Sequence, residues 1–143
     1  MPVLILNGPN LNLLGLREPE IYGATTYPQL ETQIQAWGES LGLQTDTRQS
    51  NHEGQLIDWI QAARGQFQWI LFNPGGYTHT SVALRDALSA VQIPTIEIHL
   101  SNIFAREEFR QHSYISPVCR GVISGLGVAG YFAGLQVIAM ENS

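Results

Sequence analysis

Lysine is absent from this chain, so all seven basic residues are arginines. That absence excludes chemistry that needs a lysine amine: Schiff-base catalysis, a pyridoxal phosphate anchor, and the phosphate-binding P-loop. Cysteine is nearly absent too. Cys119 stands alone, so no intrachain disulfide forms and no cysteine-built structural zinc site can be completed. Charge is scarce, with 13% charged residues, a net charge of −5 and no basic run, which argues against a nucleic-acid partner because phosphate binding needs a concentrated positive footprint. Long apolar runs are missing, and nothing approaches the roughly 20 apolar residues of a membrane span. Met1-Pro2 leads into Val3–Leu6 with no charged region or signal-like core ahead of it, so a cytoplasmic protein is expected. His52, His79, His99 and His112 lack zinc-ligand spacing, and neither a metal nor a cofactor is expected. Ser124 is followed directly by Gly125, the wrong spacing for a serine nucleophile elbow.

What remains is a chain of 143 residues, 44% hydrophobic, suited to one domain over 1–143 that buries roughly 68–70% of its unfolded surface. Apolar runs at Val3–Leu6 and Trp69–Phe72 each stop at a glycine-proline turn and read as buried strands. Leu43–Arg48, Thr95–Leu100 and Gly121–Ser124 complete five predicted strands. Between them, Thr26 and Gln29 predict a capping box for a helix carrying Leu30, Ile34, Trp37 and Leu41. Ser50 with Glu53 is expected to cap a second helix with Leu56, Ile57, Ile60 and Ala63 on its apolar face. A third carries Val82, Leu84, Leu88 and Val91, and Val128–Ala139 is the last. Strict alternation of strand and helix predicts an α/β, flavodoxin-like three-layer sandwich with a five-stranded parallel sheet. Ligands of such folds bind beyond the carboxyl ends of the strands, here just after Leu6, Phe72 and Ile98.

Polar residues gather at those points. Along Thr95–Ser101, alternation puts Thr95, Glu97, His99 and Ser101 on one face and Ile96, Ile98 and Leu100 on the other. A carboxylate and an imidazole pointing the same way on an interior strand suggest an oriented acid or base, against the simpler reading of a satisfied buried pair. Arg17 and Tyr22 share the long loop Pro9–Thr25, a length that inside a compact domain usually marks function. A tyrosine of ordinary pKa ~10 must come down by about three units to act as a base near neutrality, or roughly 4 kcal/mol, which a neighbouring guanidinium can supply in a closed site. Asn10 and Asn12 could orient a water or cap that loop. The turn Asn73-Pro74-Gly75-Gly76, followed by Tyr77-Thr78-His79, is expected to offer backbone amides at a helix N-terminus to an anion. Arg106 and Arg110, four apart, could project from one helical face, against the simpler reading of ordinary surface charge, and Asp86, seven residues after His79, could support His79 indirectly or meet Arg110 across the site. Gly125–Gly130 matches the dinucleotide glycine pattern only nominally, since no second strand follows it, and close helix-to-strand packing explains it better.

Taken in order, Asn7–Gly15, Arg17-Glu18-Pro19 with Tyr22-Gly23, Asn51–Gly54, Asn73–Gly76, Glu97–Asn102, Arg106-Glu107, Phe109-Arg110 and His112-Ser113 resemble the type II 3-dehydroquinate dehydratases. The resemblance implies dehydration of 3-dehydroquinate to 3-dehydroshikimate in the shikimate pathway, without a cofactor, by a homododecamer built as a tetramer of trimers. Carried over, it makes Tyr22 the base, Arg17 its electrostatic partner, His99 the acid held by Glu97, and Asn10 the holder of a water that stabilises an enolate. It implies that Asn73, Leu100 and Ser101 meet the substrate carboxylate, that His79, Asp86 and Arg110 meet ring hydroxyls, and that Arg106 steadies the closed loop. The missing lysine agrees, since the unrelated type I enzymes use a lysine Schiff base. Ala24, where the family more often has threonine, and Cys119-Arg120 depart from the pattern without touching an assigned role. A flavodoxin-like module that only binds phosphate is the competing class; it would be expected to lack one of Arg17, Tyr22 or His99, and all three are present. A phosphoester hydrolase would need a metal cluster or nucleophile that is not found.

Overall fold

In the computed structural model, which describes residues 1–16 and 18–142, strands and helices alternate as the periodicity predicts. In chain order they are β1 (Pro2–Asn7), the single turn α1 (Pro19–Tyr22), α2 (Tyr27–Ser40), β2 (Gln44–Gln49), α3 (Glu53–Ala62), β3 (Trp69–Asn73), α4 (Val82–Val91), β4 (Thr95–His99), β5 (Gly121–Ser124) and α5 (Ala129–Glu141). The five strands among the described residues form one parallel sheet in the order β2-β1-β3-β4-β5, the flavodoxin-like arrangement. The chain reverses direction across the sheet between β1 and β3, and the crevice for a ligand opens there.

Period-two alternation distributes the core to both sides of the sheet. Val3, Ile5, Leu71 and Ile98 pack with Leu30 and Ile34 of α2 and Leu135 and Ile138 of α5. Leu4, Leu6, Ile70 and Phe72 pack with Leu56 and Ile60 of α3 and Leu84 and Leu88 of α4. β4 departs from this rule as its sequence predicts: Ile96, Ile98 and Leu100 join the first layer, whereas Thr95, Glu97 and His99 are buried polar groups. The helix α5 lies directly on the sheet because it carries Gly134, where a Cβ would come within 2.6 Å of Leu71 Cδ1. In the preceding glycine run, Gly125 (φ +92°) backs onto Asn102, and its amide donates to the His99 carbonyl at 3.2 Å. Of those glycines only Gly130 faces strand side chains, Ile123 and Ile98, whereas Gly127 has open space where a Cβ would stand and is required by its φ of +61°.

The capping box of α2 forms as expected, with Gln29 N donating to Thr26 Oγ1 at 3.3 Å and Thr26 N to Gln29 Oε1 at 2.9 Å. Thr26→Ala is expected to cost about 1 kcal/mol, read as a lower urea midpoint at an unchanged slope.

Other expectations need correction. β2 runs on through Gln49, so Ser50 lies in the turn before α3 and accepts the His52 amide at 3.0 Å; His52 takes the N-cap position without a side-chain bond. The turn at Gly75-Gly76 does not open α4, because a 3-10 turn (Gly75–His79) intervenes and Ser81 caps α4 by accepting the Leu84 amide at 2.9 Å. The Gly75 amide is instead bonded to Asn73 Oδ1 at 3.1 Å. Val82 is 51% exposed, being the first residue after the cap and turned away from the sheet. Arg106 is the extended residue that ends the 3-10 turn Ile103–Ala105, and Arg110 lies in a second short 3-10 turn, Glu108–Gln111, so the two do not share a helical face.

Candidate active site

β1 and β3 leave the sheet side by side, with the Gly8 amide donating to the Asn73 carbonyl at 2.8 Å. A Cβ on Gly8 would stand 2.4 Å from the Pro74 carbonyl oxygen, so only glycine permits this approach. Beyond the strand ends is a cleft of about 180 Å³. Among the residues nominated from sequence, Asn10, Tyr22, Asn73, His79, His99, Leu100, Ser101, Arg106 and Arg110 all line it. Glu97 is fully buried behind His99. Asp86 is exposed on α4 and does not line the cleft; since the turn carrying His79 is separate from α4, the two do not share a helix. Arg17 lies outside the described residues.

The Pro9–Thr25 loop has structure of its own: a 3-10 turn (Leu11–Leu13), the single turn α1, and the buried anchors Leu11 and Leu14. Asn10 sits at φ +71°, a left-handed conformation that asparagine tolerates better than most residues. Its amide donates to Asn51 Oδ1 at 3.0 Å, and Gln49 Nε2 donates to both Gly8 O (3.1 Å) and Asn51 Oδ1 (3.0 Å). Asn12 is held more loosely, accepting from Gln49 Nε2 at 3.5 Å.

Tyr22, at the end of α1, is tied across the cleft. Arg106 Nη1 donates to Tyr22 Oη at 2.8 Å and to Ser101 Oγ at 3.2 Å, with the guanidinium carbon 5.4 Å from the tyrosine ring centre. A fixed cation therefore faces the phenolic oxygen and joins the loop to the end of β4. His99 lines the same cleft, and its Nε2 is hydrogen-bonded to Glu97 Oε2. Burial pushes the Glu97 carboxyl up, but hydrogen bonds from His99, Ser116 and Thr78 and the charge of His99 outweigh it, and the group stays below the usual carboxylate range.

His79 donates from Nδ1 to the His112 carbonyl at 2.8 Å, which leaves Nε2 for a ligand. Burial pulls its pKa down; the carbonyl opposes this, while His99 and Arg110 add to it, so the ring serves as a neutral hydrogen-bonding group. Arg110 is paired with Glu107 at 2.5 Å. The buried Asn73 amide donates to Tyr131 Oη at 3.0 Å, and Tyr131 in turn donates to Asn7 Oδ1 at 2.6 Å. That chain aims the amide and leaves its second N–H for a ligand.

Sequence reasoning did not find Asn7, Tyr131, Gln49 or the hydroxyls of Thr78, Ser113 and Ser116. A carboxylate on an interior strand signals that donors must exist. It does not say where they come from, and Tyr131 lies 124 residues from Asn7.

Fold and site together define an α/β protein with a ligand cleft beyond the strand ends, lined by a phenol that meets a guanidinium, an imidazole backed by a carboxylate, and amide and arginine donors. The family model described as dehydroquinase class II matches residues 1–139, and the chain belongs to that family. It is 56% identical over 137 residues to the 3-dehydroquinate dehydratase 2 of Pseudomonas aeruginosa, covering 96% of this chain and 93% of that protein. It is also 56% identical over 139 residues to the catabolic 3-dehydroquinase 1 of Neosartorya fischeri, covering 97% and 93%. The crystal structure of the type II dehydroquinase from Propionibacterium acnes superposes with a TM-score of 0.95 at 43% identity, covering 97% of this chain and 96% of that one.

Proposed function

We propose that this chain, as a hydro-lyase of the shikimate pathway, dehydrates 3-dehydroquinate to 3-dehydroshikimate by anti elimination through an enolate. Tyr22, as phenolate, removes the proton next to the ketone, and the electron pair moves onto the ketone oxygen. Arg106 and Arg17 hold negative charge on the phenolic oxygen, and Asn10 positions a water that donates to the enolate. The enolate then collapses and expels the hydroxyl, which leaves as water with a proton from His99. Asn73, Ser101 and the Leu100 and Ser101 amides take the carboxylate, while His79 and Arg110 take ring hydroxyls. One observation carries this reading: Tyr22 and His99 line the same cleft, one backed by Arg106 and the other by Glu97.

Residues 1–143 act as one flavodoxin-like catalytic domain in a cytoplasmic homododecamer, a tetramer of trimers. Exposed Phe104, Phe109, Leu126 and Met140 give the subunit apolar surface for such contacts. Asp86, exposed and outside this cleft, would reach a ring hydroxyl only in a cleft of another copy. Among the described residues no helix is long and apolar enough to cross a membrane.

The test is ultraviolet detection of the conjugated product from 3-dehydroquinate. Turnover is expected at the same rate with and without a chelator, since no three His, Cys, Asp or Glu side chains among the described residues are grouped to hold a metal. No product from 3-dehydroquinate, or loss of activity on chelation, would refute the proposal.

A further inference from the structure

The Glu97 carboxylate is surrounded by donors from three parts of the chain. Thr78 Oγ1 donates to Oε2 at 2.8 Å, Ser116 Oγ to Oε1 at 2.5 Å, and Ser113 Oγ to both oxygens at 3.3 and 3.2 Å. His99 Nε2 makes the remaining contact, to Oε2. The Ser113 hydroxyl has no choice of direction. It accepts the Ile115 and Ser116 amides, each at 3.0 Å, which uses its two lone pairs and leaves its proton for Glu97. With three hydroxyls donating inward, a neutral carboxyl would have nowhere to place its own proton, so the site accommodates the carboxylate. The nitrogen facing that carboxylate must then carry hydrogen.

We propose that Ser113 and Ser116, together with Thr78, are positioning residues for the elimination: their hydroxyls hold Glu97 as a carboxylate and thereby fix the His99 ring with Nε2–H on Glu97 and Nδ1 serving the substrate. This rests on the assignment of His99 as the acid. In the step concerned, the imidazolium gives its Nδ1 proton to the departing hydroxyl, forming water. His99 is left neutral with Nε2–H still bonded to Glu97, and solvent returns the proton. The other titratable groups facing Glu97 are His79, from the 3-10 turn after β3, and Cys119, from the segment before β5. Burial pushes the Cys119 thiol up to about 12 and so keeps it neutral, and His79 is bonded to the His112 carbonyl.

Ser116→Ala is the cleanest test, because its hydroxyl reaches Glu97 without also bracing a turn, whereas Ser113 holds two backbone amides. The variant is expected to lose about tenfold or more in kcat, the usual scale for a group that orients a functional residue from behind. KM for 3-dehydroquinate should stay nearly unchanged. The acid limb of the kcat–pH profile should move to higher pH, because losing a donor makes Glu97 easier to protonate. Ser116→Thr, which keeps the hydroxyl, should restore both rate and limb. In nitrogen NMR of ring-labelled parent protein, neutral His99 should be the Nε2–H tautomer. Unchanged kcat, a fall in kcat with an unmoved limb, no rescue by threonine, or an Nδ1–H tautomer would each overturn the proposal. Turnover by His99→Ala separates the two levels: if that variant works normally the acid assignment itself fails, and if it is inactive while Ser116→Ala behaves as the parent, only the serine inference does.

Discussion

Tyr22→Phe is expected to lower kcat by about a thousandfold, within the span for removing a positioned general base. The phenol is half-buried and its oxygen meets Arg106, so the change removes the proton acceptor and leaves the aromatic ring and its packing in place. Because the lost interaction belongs to the transition state, kcat and kcat/KM should fall together, with KM little altered. Thermal unfolding should stay close to that of the parent, since no core contact is deleted. Parental kcat in this variant would refute the base assignment, and a large rise in KM at unchanged kcat would make Tyr22 a binding group only.

His99→Ala is expected to lower kcat by about a hundredfold to ten-thousandfold and, unlike the tyrosine change, to cost stability. His99 is buried and bonded to Glu97, and it supplies the largest influence opposing the burial of that carboxylate. Removing one partner of a buried charged hydrogen bond typically costs about 1–3 kcal/mol. The pH dependence has a definite sign. A carboxyl held below its unfolded value contributes stability that is full above that unfolded value and is lost as pH falls through the folded one. The gap in urea midpoint between parent and His99→Ala should therefore be widest near neutrality and narrow in acid, where Glu97 is protonated in both. A gap that does not change with pH would show that the Glu97 charge is not what His99 compensates.

Much of this molecule could be read before any coordinates. The order of strands and helices, the α2 capping box and the alternation of β4 depend on neighbours two to four residues apart, which sequence spacing encodes directly. The misplaced features were junctions. Ser50 and the Gly75 turn resembled helix starts, and where α3 and α4 begin was decided by how far β2 and β3 continue and by the bonds Ser50 and Asn73 make locally. Arg106 reaches the cleft from the extended residue after one short turn and Arg110 from within the next, an arrangement that four-residue spacing cannot distinguish from a helix.

By itself the sequence determined the kind of chemistry available: no lysine amine, one cysteine, and a tyrosine, a histidine and a glutamate in loops and strand ends where a parallel sheet presents them. Tertiary structure alone decided which groups back them. Arg106 is 84 residues from Tyr22, and Ser113 and Ser116 meet Glu97 from 16 and 19 residues away, through irregular chain that has no periodicity to read. Hydrogen bonds act over about 3 Å in space whatever the distance along the chain, so partners of that kind become visible only once the chain has folded.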